Sequence, residues 1–260
     1  MPAGVRNKLK VTAVQMKRGS ISESIQKSKY ALHQLEKEEP DLVVLPEKWV
    51  TEKITESDPA FLSLMELFQN FSEEHNCSII PGSFSLVRSD GTFNSAPMIS
   101  SGRLLGFQDK ISLYRAEKVT YSQGDSIKVF KTGNASISIA VCYDLDFPYF
   151  TKIAVKRGAR ILANPSLINE KFHEMWWIYA RGRSLENRIP IISVNSLSAP
   201  FNGNSIITGL KATDDGVLLQ DHFCGKEPLA TIDLDLSDIE DAMDKRINED
   251  PGSYSLEWEA

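Results

Sequence analysis

Three residues of different chemistry each stand just past a stretch that reads as a β-strand: Glu47 after residues 41–45, Lys110 after 103–107 and Cys142 after 135–141. A carboxylate, an ammonium and a thiol are the parts that acyl transfer through a thioester needs, namely a base, a cation for the developing oxyanion and a nucleophile. Cys142 is the pivot. Ile137, Ile139 and Val141 alternate with Ser136, Ser138 and Ala140 as in a strand, and Asp144, Asp146 and Pro148 then read as the opening of a helix. That corner exposes the sulfur, and a following helix N-terminus favours its thiolate. Taken alone, each residue has a plainer reading: the cysteine as a small buried hydrophobe, the glutamate and lysine as solvated loop charges.

The elements around these positions alternate between helix and strand at both ends of the chain. Residues 9–16 read as a strand, and Ser20 or Ser22 can cap a helix that buries Ile25, Leu32 and Leu35. Asp41-Leu-Val-Val-Leu45 is a continuous apolar run, as in a strand covered on both faces, and Pro46 breaks it. Asp58-Pro59 is a helix start whose apolar stripe is Phe61, Leu64, Phe68 and Phe71. Residues 77–87 read as one strand, followed by hairpin strands at 92–99 and 103–107 with turns at Asp90-Gly91 and Ser101-Gly102. A polar segment runs from Ile111 to Asp125, and strands at 127–130 and 135–141 flank Gly133-Asn134. Helices are expected at 147–157, 173–187 and 236–247, with strands at 160–163, 189–195, 205–210, 217–220 and 229–234. No linker or shift in composition divides the chain, so one mixed α/β domain over 1–260 is expected.

Composition narrows the class. The 260 residues are 42% hydrophobic and 25% charged, ordinary for a globular protein, and the net charge of −6 argues against a nucleic-acid binder. Three scattered cysteines do not form a secreted disulfide framework. The first ten residues hold basic side chains without an apolar run, and no stretch is long enough to span a bilayer, so a cytoplasmic protein without a membrane partner is expected. His33, His75, His173 and His222 lie away from the three candidates, which disfavours a Cys/His enzyme, and no cluster has metal-ligand spacing; neither a metal nor a cofactor is expected.

Leu45-Pro-Glu47, Asp109-Lys110-Ile-Ser-Leu113 and Val141-Cys142-Tyr-Asp-Leu-Asp-Phe-Pro148 resemble the three catalytic signatures of the nitrilase superfamily, the carbon-nitrogen hydrolases. The likeness continues, in order, through Val11–Met16, Tyr121-Ser-Gln-Gly-Asp125, Gly158–Ser166, Arg183–Arg188, Gly203-Asn-Ser205 and Asp215-Gly216-Val217. The resemblance implies an α/β fold, the four-layer αββα sandwich of the nitrilase type, which dimerises by packing helices together. It assigns Glu47 as general base, Cys142 as nucleophile, Lys110 and the backbone N–H of Tyr143 as oxyanion donors, and Glu117, seven residues beyond Lys110, as a second glutamate that orients substrate and lysine. Cys77 and Cys224 are then structural.

The implied reaction cuts a non-peptide carbon–nitrogen bond of a small molecule. Tyr143-Asp144 is more like the amidase and omega-amidase branches than the Trp-Glu of nitrile hydrolysers, so a small aliphatic or omega-amide is expected to yield a carboxylic acid and ammonia. A nitrilase proper, or a non-catalytic binding or scaffold member of the same fold, is the alternative. Two departures stand out: Tyr149 replaces the usual glutamate after the elbow proline, and the segment 248–254 lacks the usual basic pair before its proline. Trp49, Trp176 and Phe201 are candidates to line the pocket.

Overall fold

A computed structural model describes residues 8–250 of the chain. Its first half runs β1 (Lys8–Val14), α1 (Ile21–Leu35), β2 (Leu42–Val44), β3 (Lys53–Thr55), α2 (Pro59–Glu74), β4 (Ser78–Ile80), β5 (Phe84–Arg88), β6 (Gly91–Ser100) and β7 (Arg103–Asp109). The second half runs α3 (Glu117–Thr120), β8 (Val129–Lys131), β9 (Ser136–Ile139), α4 (Pro148–Lys156), β10 (Ile161–Pro165), α5 (His173–Asn187), β11 (Ile191–Val194), β12 (Ile206–Thr213), β13 (Gly216–Phe223), β14 (Leu229–Asp235) and α6 (Ser237–Asn248).

The strands form two sheets, one ordered β14-β1-β2-β4-β6-β5-β3 with β7 also on β6, the other β13-β12-β11-β10-β9-β8. The centre of each is parallel, β1-β2-β4 in one and β9-β10-β11 in the other, and hairpins extend both. The apolar run of β2 explains the layering, because its alternate side chains feed different cores. Leu42 and Val44 join a cluster with Val11, Ile137, Leu162 and Ile192 that spans both sheets, while Val43 and Leu45 join Leu32, Leu35, Phe61 and Phe68 of α1 and α2. Phe150 and Ala154 of α4 and Trp176 and Ala180 of α5 pack on the second sheet. The result is the four-layer αββα sandwich that the family resemblance implied.

Local signals account for the helix ends. Ser20 caps α1 and exchanges hydrogen bonds with Glu23, and Asp58 accepts from the Ala60 N–H at the start of α2 with Pro59 as its first residue. Ile25 is only half-buried, whereas Leu32 and Leu35 face the core. Residues 77–87 are not one strand: Pro81 and Gly82 split them into β4 and β5, which pair with different stretches of β6. Gly82 has φ +83°, and a Cβ there would collide with the Pro46 carbonyl oxygen. The break therefore lets the turn after β2 press against residues 81–83, where the Lys48 N–H donates to Ser83 at 2.9 Å. β3, unmarked in the sequence by any long apolar pattern, is three residues at the sheet edge. Pro251 and Tyr254 lie outside the described residues.

Candidate active site

The two sheets meet at the ends of β2 and β10, where the Glu47 N–H approaches the Ser166 carbonyl at 3.4 Å. Three chain segments converge there. Glu47 follows β2, Lys110 is the residue after β7, and Cys142 opens a short 3-10 turn, Cys142–Asp146, after β9. Lys110 donates to Glu47 Oε1 at 2.9 Å, with the two residues 1% and 2% exposed. The Cys142 thiol is a neighbour of the same carboxyl group, and each acts on the other's protonation. Glu117, at the start of α3, takes Lys110 Nζ on Oε2 at 2.8 Å. Glu47, Lys110, Cys142 and Glu117 are thus brought into one cluster, and the Tyr143 N–H lies in the first turn beside the sulfur.

The elbow is held by its neighbours. Cys142 has φ +47°, a left-handed conformation that costs a non-glycine residue about 1–2 kcal/mol and must be fixed from outside. Asp144 does part of this, accepting the N–H groups of Val141 (3.0 Å), Ile111 (3.2 Å) and Ser112 (2.6 Å), and so ties the cysteine turn to the segment carrying Lys110. Asn164 does the rest: its amide donates to the Ala140 and Cys142 carbonyls at 2.7 and 3.2 Å, while Ser166 and Ser193 hydroxyls fix its oxygen.

Charge states follow from burial and pairing. Burial pushes the Glu47 carboxyl up, but Lys110 and then Lys48 outweigh it and bring it down to about 2, so it is ionised at neutral pH. Burial and the adjacent Glu47 push the Cys142 thiol well up, against the pull of Lys110 and the Leu167 N–H. The Cys142 side chain therefore rests as a neutral thiol. This corrects the expectation of a helix-stabilised thiolate, because α4 begins only at Pro148 and the 3-10 turn intervenes. Burial likewise pushes Asp144 up to about 6, although the N–H of Ser112, Lys110 and the other N–H groups pull it down.

A cavity of about 500 Å³ opens over the sulfur, walled by Tyr114, Tyr143, Leu167, Trp176 and Phe201. Trp176 and Phe201 are where the sequence reading put them. Trp49 is not: it is fully buried between Phe68 and Phe84 and donates to the Pro81 carbonyl at 2.7 Å. Cys77 and Cys224 are free and buried away from the cavity. No metal-binding group of side chains occurs among the described residues.

Sequence reasoning missed three members of the cluster. Asn94 of β6 donates to Glu47 Oε1 at 2.6 Å, and its carbonyl accepts the Lys110 N–H at 2.8 Å. An asparagine inside a strand is unusual and was the available signal; Asn164 inside the buried β10 gave the same one. Lys48 pairs with Glu117 Oε1 at 2.6 Å and lies 4.0 Å from Glu47.

A family model described as carbon-nitrogen hydrolase matches residues 10–243. The chain belongs to the carbon-nitrogen hydrolase family, within the nitrilase superfamily. It is an enzyme of the amidase and nitrilase type. This carbon-nitrogen hydrolase is 28% identical over 200 residues to a probable hydrolase, YhcX, of Bacillus subtilis, covering 74% of this chain and 37% of that protein. It is 26% identical to the hydrolase in the agr operon of Staphylococcus aureus, over 78% of this chain and 81% of that one. Among solved structures, Nit3 of Saccharomyces cerevisiae, a member of branch 10 of the nitrilase superfamily, superposes with a TM-score of 0.79 at 19% identity, covering 97% of this chain and 100% of that one.

Asp144→Ala leaves three N–H groups, one buried and two half-buried, without their acceptor. It is expected to lower the unfolding free energy of this carbon-nitrogen hydrolase by about 2–4 kcal/mol in denaturant titrations. An unchanged midpoint would contradict its place as the tie between the two segments.

Proposed function

We propose that Glu47, Lys110 and Cys142 hydrolyse a carboxamide to a carboxylic acid and ammonia through a Cys142 thioester. The observation that carries this reading is the single carboxylate, Glu47, that meets both the thiol and the Lys110 ammonium. As sulfur attacks the carbonyl carbon, Glu47 takes the thiol proton, and the Lys110 ammonium and Tyr143 N–H stabilise the oxyanion. At rest Glu47 is a weak base because the two lysines hold its charge. Once Lys110 turns toward the new oxyanion that hold relaxes, so basicity rises when the proton must move. Glu47 then returns the proton to the leaving nitrogen, ammonia departs, and a water deprotonated by Glu47 releases the acid.

The cavity supports an acyl group with an apolar chain, and the exposed cations Arg115 and Lys171 at its rim suit the distal carboxylate of an omega-amide. Asp144 is fully buried and does not line this cavity, so any preference for amides over nitriles runs through the elbow it positions rather than through contact. An omega-amidase of Saccharomyces cerevisiae, 22% identical over 71% of this chain, agrees with that class. No helix among the described residues is long and apolar enough to cross a membrane. We assign a reducing, cytoplasmic setting on the strength of the three unpaired, buried cysteines.

A homodimer is part of the same proposal. Phe147, Tyr149 and Ile153 around α4 and Phe172, Met175 and Ile178 around α5 are exposed; Tyr149 and Ile178 reach 76% and 66%. Apolar side chains gathered on two adjacent helices mark a surface that a second copy would cover. Light scattering is expected to give the dimer mass for the native protein and a monomer for Ile178→Glu; a native monomer would refute it.

The reaction is tested by incubating the protein with short amides, omega-amides, carbamoyl amino acids and nitriles while following ammonia and intact mass. Ammonia release and an acyl adduct on Cys142 are expected with an amide, neither of them with Cys142→Ala. Absence of turnover and of adduct across the whole panel would overturn the reading and favour a binding role.

A further inference from the structure

Lys48 meets no reacting atom in the reaction set out above, where it only helps to hold the Glu47 charge, yet it is built into the site. Consecutive residues in an extended chain point to opposite sides, so a residue next to Glu47 should face away from it. At Lys48 the backbone turns to φ +38°, outside the range most residues adopt, and its N–H is anchored on the Ser83 carbonyl while the Arg18 guanidinium holds its own carbonyl at 3.1 Å. The turn carries both side chains into one cluster. Lys48 Nζ lies 2.6 Å from Glu117 Oε1 and 4.0 Å from Glu47 Oε1, and packs over the Tyr121 ring at 5.2 Å.

Counting the groups explains why a second cation is there. Glu47 and Glu117 bring two negative charges and Lys110 one positive charge, all largely out of water. Lys48 brings the sum to zero. Without it, Lys110 would have to balance both carboxylates, and an ammonium held between two anions is a poor donor to a third. Glu117 takes Lys48 on one oxygen and Lys110 on the other, with the Tyr114 N–H at 2.9 Å on the latter, so its carboxylate is fully engaged.

We propose that Lys48 is a positioning residue of the reaction: by neutralising Glu117 it leaves the Lys110 ammonium free to turn to the reacting oxygen. The proposal rests on the thioester reading above. The groups that face Lys48 and Glu117 are Glu47 on the same turn, Lys110 after β7, and Tyr121 after α3. Burial and Glu47 push the Glu117 carboxyl up, and Lys110 and Lys48 together outweigh them and hold it low. Removing Lys48 therefore raises it. Below that raised value Glu117 is neutral and no longer competes for Lys110.

The experiment compares the full-length wild type with Lys48→Met, Lys48→Arg and Lys48→Met/Glu117→Gln on the best amide. For Lys48→Met, kcat is expected to fall at least about 10-fold near neutral pH with KM within about 3-fold. The deficit should shrink as pH is lowered from about 8 to about 5, since protonated Glu117 releases Lys110. Lys48→Arg should restore most of the rate, and adding Glu117→Gln to Lys48→Met should raise kcat above that of Lys48→Met alone. A loss that is constant with pH, or a double variant slower than Lys48→Met, makes Lys48 a structural prop and overturns the proposal. Wild-type turnover with an acyl adduct on Cys142, joined to an unaltered Lys48→Met, defeats the Lys48 assignment alone. A wild type without turnover or adduct defeats the thioester reading, and the assignment falls with it.

Discussion

The Lys110–Glu47 ion pair is the contact on which the rest depends. Both charges are out of water, and taking either from solvent unpaired would cost several kcal/mol, so each requires the other. That requirement couples parts of the fold distant in sequence: β2 delivers the glutamate, β7 delivers the lysine, and Asn94 of β6 joins them, its side-chain amide donating to Glu47 and its carbonyl accepting the Lys110 N–H. The sandwich makes the pairing feasible by ending β2 of one sheet against β10 of the other, so that the cysteine turn of the second sheet closes over the pair.

A neutral thiol beside an ionised carboxylate is a different solution from a thiolate stabilised in advance. Burial and the Glu47 charge both oppose a negative sulfur, while the lysines keep the carboxylate ready. On the proposed mechanism the nucleophile is generated only as it attacks, and the cation that restrained the base moves to the oxygen that needs it. The elbow must then be stiff, since sulfur, base and carbonyl have to be aligned at one moment. Asp144 and Asn164, which contact backbone rather than the cavity, supply that stiffness.

Much of this was legible in the chain because the informative signals are local. The uninterrupted apolar run before Pro46, the Asp58-Pro59 start and the periodic segment from His173 to Asn187 each depend on neighbours within a few residues, and each is found as read. Glu47, Lys110 and Cys142 were visible as residue types at strand ends, but Glu117 and the meeting of all four were implied by the family resemblance. What was not legible depends on contacts between distant segments. Pro81-Gly82 was in plain view, yet the apolar residues on either side masked the break, whose purpose is to admit the turn at Pro46. Trp49, two residues past Glu47, was a candidate to line the pocket, and Lys48 gave no sign of a role. The backbone at Lys48 is left-handed, the lysine reaches the cluster and the indole lies in the core, contrary to the reading of Trp49.

A neutral thiol activated in place is most directly tested by the ultraviolet absorbance of its thiolate, taken as the difference between the wild type and Cys142→Ala across a pH titration. No difference is predicted near neutral pH, with thiolate absorbance emerging only in strongly alkaline solution. A full thiolate signal at neutral pH would contradict the account, because Cys142 would then carry its charge before any base was called upon.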